Sequence, residues 1–504
     1  MRVLGDIPRL GAKRHPDRVA LVFGDDKLTY AELDAAANRF AAILAANGVV
    51  AGDRVALLDE NTSDFPVAVF AVLKLGAILV PLNFRYTPDE LAYVVNDATP
   101  RCLLVGQGLA ALAGQASAGF ARPVLRIELD TSVLRTPTGA APPEVSVDPT
   151  QIAMVMYTSG TTGFPKGVLF SHAAYLTSIT AIALEGDLRE TDRVLVSLPL
   201  FHNGGLNALM NPALALGACA FIAAKGFVPQ TVLGWVEQHR ITLTMFVPTM
   251  LAMLIASGEL PRFDTSSLKK IWYGSSPITP ALLEQVRTAF QAQLYQFYGM
   301  TETGMNAVLR PEHHDRWAHC TGREVFCADL RIVDAHGQDV AVGEIGEIIS
   351  RQQPMGMVGY MGNERATAET IVDGWIHTGD LARNEGEGIF TVVDRKKDML
   401  ISGAENVYPK EIEVVIAELA GVLEVAVFGI PDPVYGEAVC AAIVPRGAAG
   451  LTEQEVVAWC AQRLAGYKKP KRVLFLDALP KNAAGKVLKH VLKAPFWEER
   501  ERRI

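Results

Sequence analysis

The fold of this chain is constrained first by the rhythm of its N-terminal part, where short apolar segments alternate with helical ones. Residues 19–23 and 27–29 read as hairpin strands around the turn Gly24-Asp25-Asp26. Thr29 and Glu32 then have the spacing of a capping box, and Leu33, Ala37, Phe40 and Leu44 follow at helical period, with Gly48 as the stop. Strand 55–58, helix 65–75, strand 77–80, a second cap at Thr87 to Glu90 with its helix, and strand 102–105 come next. This alternation predicts a parallel α/β sheet with helices on both faces.

At 504 residues the chain is too long for one core, so at least two domains are expected. Residues 114–149, rich in Ala, Pro, Thr and Gly, are expected to wrap the surface. From Asp192 the alternation resumes with strand 194–198, the loop 199–205, a buried helix, strand 218–223, helix 229–239 and strand 242–247. Strands 270–273 and 293–297 follow, each running into a loop, at Gly274 and at Tyr298. In an open α/β sheet ligands sit beyond the carboxyl ends of the strands, so the loops at Pro199, Gly274 and Tyr298 are candidate binding positions. Beyond about Ala328 the pattern changes to short β segments with glycine turns, ending at DGWIHTGD (373–380). The charged cluster DRKKD (394–398) precedes a last region with its own α/β pattern. The domains are therefore expected at 1–396 and 397–504, with Lys397 at the joint.

A net charge of −8 gives no basic footprint for nucleic acid, which is excluded as an expected partner. The six cysteines are scattered without a C-x-x-C pair and read as reduced thiols of a cytoplasmic protein. The first residues lack an apolar signal-peptide core and the last are mostly charged, so neither a signal nor an anchor is expected. The uncharged runs 204–224 and 241–258 have the length of a membrane span, about 20 residues, but contain Asn, Pro, Gly and Thr, and are expected to be buried helix and strand. His313, His314, Asp315, His319 and Cys320 lie close together, but their spacing fits no standard zinc ligand set and reads as a polar loop.

The stretch YTSGTTGFPKG (157–167) carries the chemistry. It follows the apolar segment 152–156 and combines Thr158, Ser159, Thr161 and Thr162 with Gly160, Gly163 and Lys166. Glycines let the backbone approach an anion, hydroxyls and peptide N–H groups donate to its oxygens, and the lysine supplies a point charge: such a loop holds phosphate. It differs from the common P-loop, because Pro165 precedes the lysine and Gly167 follows it.

Together with YGMTET (298–303), GWIHTGDL (374–381), DRKKDMLISGAENVYPKEIE (394–413) and PKNAAGKVLK (480–489), this loop resembles the acyl-adenylate-forming superfamily of acyl-CoA synthetases, nonribosomal peptide synthetase adenylation domains and firefly luciferase, and most of all the acyl-CoA synthetases. The resemblance implies an α/β fold: a large N-terminal domain of stacked α/β sheets plus a β-rich segment, and a small mobile α+β C-terminal lid. It implies a soluble enzyme that binds ATP, Mg²⁺, coenzyme A and a small carboxylic acid; a homodimer is among the assemblies open to it. By the family pattern the loop 158–166 cradles the β- and γ-phosphates, Glu302 holds Mg²⁺ and Thr301 lies at the α-phosphate. Tyr298, Gly299, Gly274, Ser275, Ser276 and Pro277 would flank the adenine, and Asp380 and Arg395 would meet the ribose. Lys486 is the lysine expected to bridge carboxylate and α-phosphate; Lys481 and Lys489 are near it, and the Gly485-Lys486 step favours Lys486. Lys397 matches the hinge about which the lid rotates to bring the face around Ser402, Gly403 and Ala404 to the pantetheine tunnel.

His202, Asn203, Gly204, Val247, Tyr273, Gly274, Gly299, Met300 and Met305 are the candidate acyl-pocket residues; His202 resembles the gate between pocket and tunnel. They are mostly apolar and include no lysine or arginine, so a largely apolar monocarboxylate, fatty or aryl, is expected. Two departures from the family pattern stand out: Ser275-Ser276 in place of a frequent Gly-Ala, and Gly403-Ala404 in place of Gly-Gly. A methyl added to a tight site costs about 1–3 kcal/mol, so Ala404 leaves a carrier protein or another acceptor open beside CoA.

Overall fold

The computed structural model describes residues 1–129, 145–158, 165–224, 226–276, 278–402, 405–447, 450–481 and 487–497. By packing the chain divides into two compact units, Met1–Leu330 with Ile349–Thr378, and Arg331–Ile348 with Gly379–Ile504. The joint expected at Lys397 lies inside the second of these units.

The first unit is built on two sheets. The described strands of the larger run in the order Arg323–Glu324, Gly304–Leu309, Gln293–Met300, Lys270–Gly274, Leu243–Phe246, Arg193–Val196, Cys219–Ile222, Val19–Phe23 and Asp26–Thr29. The second has the order Gly359–Tyr360, Lys166–Ser171, Ile152–Thr158, Ile78–Pro81, Arg54–Leu58, Cys102–Val105 and Leu125–Glu128. Side-chain alternation sends Val55 and Leu57 into one core and Ala56 and Leu58 into another. The largest core joins Leu57, Leu79 and Met154 of one sheet to Val194, Met245 and Trp272 of the other through the helices Tyr30–Ala46, Asp64–Lys74 and His172–Glu185. Further helices cover the outer faces, for example Pro88–Ala98 over Val80 and Val105, and Pro248–Ala256 over Ile271 and Tyr273. This is the stacked α/β architecture expected from the sequence.

Local signals are realised closely. Thr29 and Glu32 exchange the two bonds of a capping box at the start of Tyr30–Ala46, and Thr87 and Glu90 do the same at Pro88–Ala98. The run 204–224 becomes buried helix and strand; in 241–258 the strand Leu243–Phe246 is buried, while the helix Pro248–Ala256 buries one face and exposes Met253. Among the described residues no helix is long and apolar enough to cross a membrane. All six cysteines are free thiols. Two expectations need correction. The segment 114–149 is not all surface wrap: Leu125–Glu128 pairs in parallel with Cys102–Val105 and extends the sheet. The strand expected at 293–297 continues to Met300 and pairs antiparallel with Gly304–Leu309, which makes Tyr298-Gly299-Met300 part of a hairpin rather than a loop.

In the second unit, Leu400–Ser402, Glu405–Val407, Gly436–Pro445, Val422–Asp432 and Arg472–Phe475 form a sheet. The helices Pro409–Ala417 and Glu453–Ala461 pack on one face, and Leu492 and Phe496 of Lys489–Trp497 pack on the other.

One buried charge fixes the start of the Lys270–Gly274 strand. Lys270 Nζ donates to Asp192 Oδ2 at 2.8 Å and to the Asp187 carbonyl at 2.5 Å, while Thr242 Oγ1 donates to Asp192 Oδ1 at 2.6 Å. Removing one partner strands the other charge. Lys270→Met is expected to destabilise the protein by about 3–5 kcal/mol, and adding Asp192→Asn should recover part of that loss, both read from urea-denaturation midpoints.

Candidate active site

The strands Arg193–Val196, Leu243–Phe246, Lys270–Gly274 and Gln293–Met300 are parallel and end on one edge of the sheet, because Thr244 lies opposite Leu195, Phe246 opposite Tyr273 and Gly274 opposite Phe297. Residues just past those ends are therefore brought together: the loop 197–203, Val247, Ser275, Ser276 and the turn Thr301-Glu302-Thr303. Backbones approach closely here. A Cβ on Gly274 would sit 2.2 Å from the Phe297 carbonyl oxygen, and one on Gly299 would sit 2.0 Å from that of Gly304. Ser275 is held at φ 65°, a left-handed conformation that costs a non-glycine residue energy.

The loop carrying His202 is pinned by Asn61, whose carboxamide donates to the Leu198 carbonyl at 3.1 Å and accepts from the Leu200 N–H at 2.8 Å. The wide-turned helix Gly204–Met210 begins directly after it. Asn203 Oδ1 accepts from the Tyr175 hydroxyl at 3.0 Å and from Asn207 Nδ2 at 2.8 Å, so its orientation is set. His202 is solvent-accessible, yet protein surrounds it closely enough for desolvation to lower its pKa, the combination expected of a side chain lining a concavity. It is neutral at pH 7. The side chain of Tyr273 instead packs in the core, with its hydroxyl 2.9 Å from His314 Nε2. That bond, with His314 Nδ1 2.9 Å from the Arg310 carbonyl and Asp315 paired to Arg287, gives structural work to members of the polar loop.

On the second sheet, Thr158 lies opposite Lys166 at the open end of an antiparallel pair, so the two frame the phosphate-type loop. Lys166 Nζ stands 4.9 Å from the centre of the Tyr360 ring. The Tyr360 hydroxyl donates to Glu302 Oε1 at 2.9 Å, and the Met357 N–H donates to the Glu302 carbonyl at 2.8 Å. Burial, and then the Glu302 carboxylate, push the Tyr360 pKa up, which keeps its proton in place as a donor. Glu302 is 8% exposed. A carboxylate with one oxygen already oriented suits a hard divalent cation, which takes one or two carboxylates and leaves other positions to water and phosphate.

In the second unit Asp380 and Arg395 face each other across an antiparallel pair, with Arg395 Nε 2.7 Å from Asp380 Oδ1. Asp380 is buried within a strand, not capping a turn. The Gly379 N–H beside it donates to Glu347 Oε1 at 3.0 Å, and Lys396 Nζ meets Glu347 Oε2 at 3.1 Å. Lys397 is exposed and Ser402 is buried. Lys489 Nζ donates to Glu413 Oε1 at 2.8 Å; burial alone would lower its pKa, and the carboxylates of Glu413 and Asp394 reverse this and raise it. Ser159, Gly160, Thr161, Thr162, Gly163, Pro277, Gly403, Ala404 and Lys486 lie outside the described residues.

Residues 9–361 match the family described as AMP-binding enzyme, and residues 411–486 match its C-terminal domain. The chain belongs to the AMP-binding enzyme family. The feruloyl-CoA synthase of an Amycolatopsis species is 38% identical over 494 residues, covering 98% of this chain and 99% of that protein. The indoleacetate–CoA ligase of Aromatoleum aromaticum is 38% identical over 484 residues and 94% of each chain. Among solved structures, an anthranilate CoA ligase in complex with anthranoyl-AMP superposes with a TM-score of 0.91 at 26% identity, covering 98% of this chain and 97% of that one. The resemblance read from the motifs and the fold it implied both hold for this AMP-binding enzyme.

Tyr360 is the site residue that the sequence analysis did not name. Its only local signal is Gly359-Tyr360 after an irregular stretch; its role arises from pairing with the Lys166–Ser171 strand, with Gly359 opposite Leu169. Tyr360→Phe removes the donor to Glu302 and keeps the ring beside Lys166, and is expected to weaken ATP binding about 10-fold, as for the loss of a hydrogen bond to a charged group. Tyr360→Leu should weaken it further; both are read by titration calorimetry.

Proposed function

We propose that this enzyme is an AMP-forming acid:CoA ligase acting on a largely apolar monocarboxylate. Its family, and relatives named for ferulate and indoleacetate, favour an aryl acid. The observation that carries the reading is the buried Glu302, oriented by Tyr360 beside Lys166 at the base of the phosphate-type loop.

In the first step the carboxylate oxygen bonds to the α-phosphorus of ATP and the bond to pyrophosphate breaks. Two anions must approach, so charge has to be neutralised where they meet. Lys166 and the loop 158–166 hold the outer phosphates, Thr301 donates at the α-phosphate, and Lys486 bridges the two reactants. Mg²⁺, when held by Glu302, supplies the remaining positive charge. Asp380 accepts from the ribose hydroxyls, with Arg395 fixing its orientation. Neutral His202 adds no charge to the acyl side, as a hydrophobic acid requires. In the second step the CoA thiolate attacks the acyl carbon and AMP leaves. We place the hinge for this change at Lys397, with Ser402 and residues 403–404 on the face that receives pantetheine. The site of action is the cytoplasm.

A second reading, transfer to a carrier protein, is favoured by Ala404 alone. The test follows pyrophosphate and AMP release together over aliphatic and aryl acids, with and without CoA. Pyrophosphate release with one acid class and CoA-dependent AMP release supports the ligase. CoA-independent product release with that acid supports the second reading, and no acid-dependent pyrophosphate overturns both. In the same assay Lys486→Ala should lower adenylation by about 10²- to 10³-fold and leave thioester formation from supplied acyl-AMP intact. Equal loss of both half-reactions contradicts the assignment.

A further inference from the structure

Asn306 is 0% exposed, and neither its side-chain oxygen nor its side-chain nitrogen has a hydrogen-bond partner among the described residues. An apolar side chain of similar size would fill that volume without leaving two polar atoms unsatisfied. The backbone shows how the carboxamide comes to be there. Tyr298 lies opposite Ala307 and Gly299 opposite Met305, so Asn306 is the extra residue of a β-bulge. Bulges break the regular alternation of side chains and re-aim one of them, often beside a site. The Asn306 carbonyl is engaged by the Val325 N–H at 3.0 Å, which leaves the side chain as the unpaired part of the residue.

Gly304, two residues before Asn306 on the same strand, links this hairpin to the loop that carries His202. The helix His172–Glu185 carries Tyr175, whose hydroxyl holds Asn203, and one turn further on Ser178, whose Oγ lies 3.1 Å from where a Cβ on Gly304 would sit. The His202–Asn203 loop and the turn end of the bulged hairpin therefore stand against one helix, at positions about 4.5 Å apart along it.

We propose that Asn306 is a specificity-determining residue of the acyl site and that it binds a hydroxyl group carried by the acid away from its carboxylate. A hydroxyl donates and accepts at once, matching the two unpaired atoms of a carboxamide. It is neutral, as a pocket whose candidate residues include no lysine or arginine requires. The inference rests on the ligase reading and narrows its substrate class.

The test uses the full-length enzyme and acid-dependent pyrophosphate release. Phenylacetate and cinnamate are compared with their ortho-, meta- and para-hydroxy derivatives, and octanoate with its terminally hydroxylated form. One hydroxylated acid is expected to exceed its parent in kcat/KM by about 10- to 100-fold, the scale of leaving a buried polar group unpaired. Asn306→Leu should abolish that preference by bringing kcat/KM for the hydroxylated acid down to that of its parent; Asn306→Ala serves if the leucine variant does not fold. Pyrophosphate release without any hydroxyl preference, or equal loss on both acids of a pair in the variant, overturns the inference and leaves the ligase reading standing. No release with any acid removes both.

Discussion

The hydrogen bond from Tyr360 to Glu302 is the interaction on which the geometry of the first unit turns. Glu302 sits in the turn of a hairpin belonging to one sheet, and Tyr360 lies on the edge strand of the other. Their contact ties the two sheets together and leaves Lys166 Nζ 4.9 Å from the ring of the same tyrosine. Met355, Met357 and Tyr360 belong to the same large core as Trp272 and Phe297, so the polar contact rests on packed apolar side chains. A carboxylate oriented in this way needs little reorganisation to receive a divalent cation.

The parallel strands impose the remainder. Because their carboxyl ends coincide, every loop leaving that edge contributes to one region, and the backbone must pass close to its neighbours there. Gly274 and Gly299 satisfy that demand, since a methyl at either would meet a carbonyl oxygen well inside contact distance. Polar groups around the His202 loop and the bulged hairpin are treated differently. Asn61, Asn203 and Asn207 are each given partners that fix the His202 loop, whereas Asn306 is held on a bulge without any among the described residues. The first three position structure; the last is the group proposed above to meet a ligand.

How much was legible in the sequence follows the range of the interactions. The capping boxes at Thr29 and Thr87 are local, and both were readable to the residue. The α/β class followed from alternation, its stacked sheets from the family resemblance, and the candidate strand ends from the rule that ligands sit beyond the carboxyl ends of parallel strands. The hairpin at Tyr298 was not readable, because its second strand must be known before the first can be extended to Met300. Leu125–Glu128 was hidden for a similar reason: it is an edge strand, exposed along most of its length, and its pairing with Cys102–Val105 leaves little hydrophobic pattern. Tyr360 acquires its role from a strand far away in the chain, and the grouping of Arg331–Ile348 with the C-terminal residues depends on packing that no local pattern encodes.

The central claim is that a carboxylate is activated by transfer of AMP, and the fate of its oxygen tests this directly. With an acid accepted by the enzyme, both carboxylate oxygens labelled with oxygen-18, and CoA present, the products are separated and weighed by mass spectrometry. The account predicts one labelled oxygen in AMP, because the oxygen that attacks the α-phosphorus stays with it when the thiol takes the acyl group. Label in inorganic phosphate, with unlabelled AMP, would mean activation at the terminal phosphate and would contradict the account.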